Sequence, residues 1–173
     1  PEDLCFVHKR KVENVLISPP QSINETEFVS ELVIDDDCAE TSDHVTGYHL
    51  SGMLLIEAVR QIMLSVSERY VFDARDSDEM YCVLHSMNVC YHSFTFPVGV
   101  SIKFSIKEMI KKGRNKYLVR SVSEVSLLGV KTASIEIDFG LYSKAALIKK
   151  EKSIFDCLGQ SPALIKEELI EAP

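Results

Sequence analysis

"SGMLLIEAVRQIMLSVSERY", Ser51 to Tyr70, is the stretch whose reading decides the fold. It contains no proline, and its one glycine, Gly52, lies at its start. Met53, Leu54, Leu55, Ile56, Ala58, Val59, Ile62, Met63, Leu64 and Val66 spread around most of a helical circumference. A helix apolar nearly all round is one buried inside a domain. At about 1.5 Å per residue it spans roughly 30 Å.

Strand patterns surround this helix. Upstream, "KVENVLIS" (Lys11–Ser18) reads as a strand stopped by Pro19 and Pro20, and "EFVSELVI" (Glu27–Ile34) as a second. "DDDCAETSDH" between them and the helix reads as a polar loop whose Asp35, Asp36 and Asp37 are simply solvated. Downstream, Met80–Phe94 is rich in β-formers, and "VSIKFSIKEM" alternates Ile102, Phe104 and Ile106 with lysines and serine. Two further strands follow, with a turn at Leu128-Gly129. The second of them places Ala133, Ile135, Ile137, Phe139 and Leu141 on one face, as a strand with one wet face does. Residues 145–173 read as amphipathic helical pieces broken between Gly159 and Pro162. The expected architecture is α+β: an antiparallel sheet wrapped around one long central helix. A single domain over 1–144, with a C-terminal helical extension over 145–173, follows.

Bulk composition narrows the function classes. The net charge of -7 and a pI near 5.3 argue against nucleic acid or an anionic membrane as the main partner. No apolar run reaches the ~20 residues of a membrane span, and "PEDLCFVHKRK" lacks the apolar core of a signal peptide. Five widely spaced cysteines without a C-x-x-C read as reduced thiols, so the expected compartment is the cytoplasm. No spacing supports a metal site, and no Walker A, G-x-S-x-G or G-x-G-x-x-G motif occurs.

The chemistry-bearing residues gather at the helix. Glu57, Arg60 and Gln61 fall at i, i+3 and i+4 and share a face. In a core they must pair, reach solvent or line a polar pocket. Two readings stay open: a structural Glu57–Arg60 pair at a dimer seam, or a pocket in which Arg60 holds an anion and Glu57 moves a proton. His44 and His49 stand in the loop ahead of the helix, with Gly47 and Gly52 allowing tight turns and close approach to a ligand. Backbone N–H groups from Gly52 to Leu54, around Met53, are free to bind a carbonyl oxygen or a phosphate. His8, in the basic run His8–Lys11, reads as a solvated rim, or else as a contact to cofactor or carrier phosphates. His85 and His92 read as core or seam residues on strands.

"DHVTGYHLSGMLLIEAVRQ" (Asp43–Gln61) resembles the A-factor biosynthesis (AfsA-like) hotdog family, with its D-H-x-x-G-x-H loop, G-M and E-A-x-R-Q. "FVHKRKVENVLIS" and "SFTFPVGVSIKF" are similar to that family's opening and its strand–Pro–strand passage. More distantly, the loop and E-A…Q resemble the β-hydroxyacyl-carrier-protein dehydratases, with Arg60 where those have a small residue. The resemblance implies a hotdog fold and the handling of acyl thioesters from acyl carrier protein or CoA. It implies transfer of a β-ketoacyl group to dihydroxyacetone phosphate, as in γ-butyrolactone autoregulator synthesis, without metal or redox cofactor. Glu57 and Arg60 fall on the acidic and basic members of E-A-x-R-Q. His44 and His49 join them as catalytic candidates, and Gly47, Gly52, Met53 and Gln61 as substrate-binding ones. Typical members carry two hotdog repeats and this chain shows one, so a homodimer is expected. A dehydratase or thioesterase, and a non-catalytic acyl-binding or assembly protein, are the alternatives.

Overall fold

The computed structural model describes residues 1–42, 47–71, 80–112 and 116–157. Among these residues six strands form one antiparallel sheet: β1 (Gln21–Ser22), β2 (Glu27–Glu31), β3 (Met80–Tyr91), β4 (Val100–Lys111), β5 (Lys116–Leu127) and β6 (Val130–Ser143). Their order across the sheet is β1-β2-β4-β5-β6-β3. Among the described residues three α-helices accompany them: α1 (Ala39–Ser42), the central α2 (Gly52–Val66) and α3 (Lys144–Cys157).

Alternation along the strands sets the register. Phe28 pairs with Phe104, Phe104 with Ser123, Ser123 with Ile135 and Ile135 with Val89, one inward row across five strands. Sliding any strand by one residue would turn its apolar set to solvent. Phe28, Phe104, Ile135 and Ile137 meet Leu54, Ala58, Ile62 and Met63 of α2 in one core. Burying each of the larger side chains contributes about 1.5–3 kcal/mol. Leu128 (φ 50°) and Gly129 (φ 82°) form the two-residue β5–β6 turn. Two positive φ values in a row match the right-handed twist of a hairpin.

Helix α2 starts where Ser51 caps it, its hydroxyl accepting from Leu54 N–H at 3.1 Å. It ends at Val66 and passes into a π-helical turn over Ser67–Val71. There the Ser67 hydroxyl donates back to Met63 C=O at 2.8 Å. From Gln61 to Ser67 every residue is buried, as the all-round apolar pattern requires. Earlier in the helix a stripe stays partly open: Met53, Ile56, Glu57 and Arg60.

Three expectations are corrected. Lys11–Ser18 is not a regular strand. Val12–Asn14 form a 3-10 turn, and only Ile17 makes a bridge, to Leu32. The cause is tertiary, because the Gln61 side chain takes the Asn14 C=O and the Leu16 N–H, and only from the Leu16 C=O onward does the segment bond to the chain at Glu31–Val33. The polar loop after β2 contains α1, and Pro19-Pro20 is followed by the short β1. The second strand ends at Glu31, three residues before its expected limit. His44 and the expected break at Gly159–Pro162 lie outside the described residues.

Strand β3 is an edge of the sheet, paired on one side with β6. Its other side carries a row of backbone groups without a strand partner among the described residues, which a further chain can pair. No described helix is long and apolar enough to cross a membrane.

Candidate functional site at the start of the central helix

The polar face of α2 meets the N-terminal segment. Glu57 receives four bonds from three residues: Arg60 through Nε (2.7 Å) and a terminal nitrogen (2.9 Å), Gln61 Nε2 (3.0 Å) and Lys9 Nζ (2.8 Å). Gln61, fully buried, also donates to Asn14 C=O at 2.9 Å and accepts from Leu16 N–H at 2.8 Å. One turn further on, Ser65 and Arg69 bind the buried Glu2 carboxylate, and Glu68 lies 3.2 Å from His8. The N-terminal segment is thus a strap, stitched along Glu57, Gln61, Ser65, Glu68 and Arg69. Lys9, grouped with a solvated rim on the sequence, is one of its fastenings.

Burial raises the Glu57 carboxyl, but the bonds from Arg60, Lys9 and Gln61 outweigh it and hold the pKa down to about 2. A carboxylate held so low is a weak base at neutral pH. Its charge stabilises the fold instead. The folded pKa lies below the usual carboxylate value, so this stability is full above about pH 4.5 and is lost as pH falls toward 2. With partial solvent access, about 2–3 kcal/mol is expected to disappear over that window. Thermal melts at pH 6, 4 and 3 check this. Wild type should lose more than Glu57→Gln on acidification, and equal losses would contradict it.

Arg60 keeps 30% of its side chain exposed. It lies near Cys82 of β3, whose thiol is pushed up to about 12, first by burial. That thiol is inert as a nucleophile. Cys5, Cys38, Cys82 and Cys90 are all free.

A second constellation sits at the start of α2. His49 packs on Phe94 with ring centroids 4.8 Å apart. His49, Leu50, Gly52, Leu55, Tyr91, Ser93, Phe94 and Thr95 line a mostly apolar cavity of about 190 Å³. A Cβ on Gly52 would fall against the Tyr91 hydroxyl and ring, so only glycine lets that ring cross the helix start. Burial raises the Tyr91 phenol, which therefore stays a hydrogen-bond donor. Among the described residues the N–H groups of Gly52 and Met53 have no hydrogen-bond partner, as the first turn of a helix leaves them.

A larger cavity of about 480 Å³ adjoins it, and His49 and Leu50 line both. Its other walls include Asp35, Asp36, Thr41, Gly47, Tyr48 and Pro97. Gly47 is exposed, has room for a Cβ and has no left-handed φ, so its backbone does not demand glycine. Met53 is 62% exposed and stands outside both linings.

The sequence-chosen residues therefore divide. His49, Gly47 and Gly52 gather at the two cavities. Glu57, Arg60 and Gln61 begin about 8 Å further along the helix axis, at ~1.5 Å per residue from Gly52. His8 is in the strap, and His85 and His92 lie on the exposed sheet face, bonded to Tyr142 and Ser134. Tyr91, Phe94, Asp35 and Asp36 belong to the cavities without having been chosen.

Residues 3–77 match the A-factor biosynthesis hotdog domain. The match spans the strap, β1, β2, α1 and α2, and includes the loop and helix residues that carry the resemblance. No curated protein matches the chain in sequence. Solved hotdog thioesterases share the fold. A Pseudomonas aeruginosa thioesterase is 14% identical, with 82% of this chain and 95% of that one covered and a TM-score of 0.52. A Haemophilus influenzae thioesterase is 11% identical, with coverage of 76% and 82% and a TM-score of 0.52. A Staphylococcus aureus thioesterase variant is 13% identical, with coverage of 76% and 97% and a TM-score of 0.52. At these identities the likeness is one of fold: this hotdog domain wraps its sheet around α2 as they do.

Proposed function

We propose that this hotdog domain binds an acyl thioester at the start of α2 and transfers the acyl group to a small hydroxylated acceptor. The observation that carries the reading is His49, the polar side chain shared by two adjoining cavities at a helix N-terminus. The thioester carbonyl oxygen would sit on the N–H groups of Gly52 and Met53, where the helix end favours developing negative charge. The acyl chain would lie against Leu55 and Phe94. His49 takes the proton of the acceptor hydroxyl as its oxygen attacks the carbonyl carbon, and returns it to the departing thiolate. An ester and a free thiol result, without metal or redox cofactor.

Glu57, pinned by three donors, serves in this reading to position Arg60 and Lys9 rather than to accept the proton. The thioester arm belongs to acyl carrier protein or CoA. A second copy pairing along the β3 edge would cover the open stripe of Met53, Ile56 and Arg60 and complete the molecule as a homodimer. Hydrolysis, with water in the acceptor's place, is the second reading. The shared fold with thioesterases favours it.

Free-thiol release from 3-oxoacyl thioesters, with and without dihydroxyacetone or its phosphate, tests both. Release at least tenfold faster with an acceptor supports transfer. Equal release without one supports hydrolysis. Silence from a folded dimer leaves dehydration of 3-hydroxyacyl thioesters, or acyl binding without turnover, and ends the transfer reading.

A further inference from the structure

The smaller cavity holds a hydroxyl that the acyl-transfer reading leaves unused. Strand β3 ends on Tyr91, two residues beyond Val89 of the inward row, so alternation turns both side chains toward α2. Val89 packs against the core, whereas Tyr91 reaches the first residue of the helix, Gly52. The three atoms nearest the place of a Gly52 Cβ all belong to Tyr91: its hydroxyl oxygen, Cζ at 2.7 Å and Cε1 at 3.2 Å. A helical Cα–Cβ bond tilts toward the helix N-terminus, the direction in which the first N–H groups also point. The phenol oxygen therefore lies on the side of Gly52 from which the Gly52 and Met53 N–H groups emerge. The hydroxyls of Tyr91, Ser93 and Thr95 line the cavity. The Thr95 hydroxyl donates to Thr132 at 2.8 Å. The Tyr91 hydroxyl makes no hydrogen bond among the described residues, and the side chain is half exposed, so a molecule entering the cavity reaches it. The volume of about 190 Å³ exceeds the ~150 Å³ that holds a benzene ring, so an acyl group of about six carbons fits beside Leu55 and Phe94.

We propose that Tyr91 is a further catalytic residue: its hydroxyl donates to the thioester carbonyl oxygen beside the Gly52 and Met53 N–H groups, and the missing Cβ of Gly52 makes that approach possible. The inference rests on the acyl-transfer reading and adds a side-chain donor to it. As the acceptor oxygen attacks the carbonyl carbon, the C=O π pair moves onto the carbonyl oxygen. That oxyanion accepts from Tyr91 and from the helix start. When the carbonyl re-forms, the C–S bond breaks and the thiolate takes the proton held on His49. Tyr91 keeps its own proton throughout, as burial of the phenol favours. A donor already placed where charge develops stabilises the oxyanion without having to move. The bond strengthens as that charge develops, so its loss shows in kcat rather than in KM.

Tyr91→Phe removes the hydroxyl and keeps the ring on Gly52, and thermal melts check that the fold is unchanged. With hexanoyl-CoA or 3-oxohexanoyl-CoA and dihydroxyacetone phosphate, kcat should fall about 10²–10³-fold for both thioesters, the usual loss of one oxyanion donor, with KM changed less than about threefold. Equal kcat in wild type and variant overturns the proposal. A loss confined to 3-oxohexanoyl-CoA also overturns it, because the hydroxyl then serves the 3-oxo group. A stable analogue of hexanoyl-CoA, with CH₂ in place of the thioester sulfur and ¹³C at the carbonyl, reads the same bond without turnover. Its carbonyl resonance should move downfield on binding to wild type, and Tyr91→Phe should give back about a third of that shift, one donor in three. A shift unchanged by the substitution overturns the role of Tyr91 even where no thiol is released. No shift on either protein, with the analogue bound, overturns both the role of Tyr91 and the carbonyl site of the transfer reading. A Tyr91-dependent shift without thiol release upholds the contact and ends the transfer reading alone.

Discussion

His49→Ala is expected to slow acceptor-dependent thiol release by about 10²–10⁴-fold, the usual loss on removing a general acid–base. The KM for the thioester should change little, because in the proposed site its acyl chain would rest on Leu55 and Phe94 and its carbonyl on backbone N–H groups. The fold should survive, since His49 is only half-buried and its ring contact among the described residues is the exposed Phe94. His49→Gln keeps a polar group of similar reach without a titrating proton, and it should be nearly as slow. Steady-state kinetics with a saturating acceptor decides the matter. Either variant within threefold of wild type would remove His49 from the reaction and leave the two cavities without a common proton carrier.

How much of this was legible without coordinates follows from where each signal sits. The central helix was, because burial on most sides writes itself into the apolar positions from Leu54 to Val66. The hairpin at Leu128-Gly129 and the inward row of β6 were, because alternation and a turn glycine are local. The 3-10 turn at Val12–Asn14 was not. Val12, Val15, Leu16 and Ile17 look like a strand, and only the distant Gln61 side chain decides otherwise. Helix α1 and strand β1 are too short to leave a period.

The site was half-legible for the same reason. His49 stands three residues before Gly52, the first residue of α2, and both announce themselves at the helix start. Tyr91 and Phe94 come from the end of β3 and the segment after it, and only the sheet brings them to Gly52. Lys9 in a run of basic residues reads as rim, because nothing in its neighbourhood names Glu57 as its partner. Asp35 and Asp36 read as a solvated run, since a cavity wall and a surface loop have the same composition. Glu57, Arg60 and Gln61 were legible as a group needing partners. Which partners they take depends on the strap.

Those partners make Glu57→Ala the substitution with the largest expected effect on stability. The change leaves two Arg60 donors, the Lys9 ammonium and one Gln61 amide proton without their shared acceptor. Breaking a buried ion pair from one side costs about 3–5 kcal/mol. Arg60 and Lys9 retain 30% and 22% exposure, and water recovers part of their loss, so about 3 kcal/mol is expected. For a chain of this size that lowers Tm by roughly 6–12 °C. Arg60→Met alone should cost less, because Glu57 keeps Lys9 and Gln61. The double variant should cost less than the sum, with a coupling of about 0.5–3 kcal/mol.

Activity separates this structural account from the acid–base role that the resemblance gives Glu57. With its charge fixed by three donors, Glu57→Gln should keep thiol release per folded molecule within a few-fold of wild type. A loss near 10³-fold in a variant that melts like wild type would return the proton to Glu57. A Tm loss under 2 °C for Glu57→Ala would show that the strap does not depend on this carboxylate, and that the polar face of α2 is held for a ligand instead.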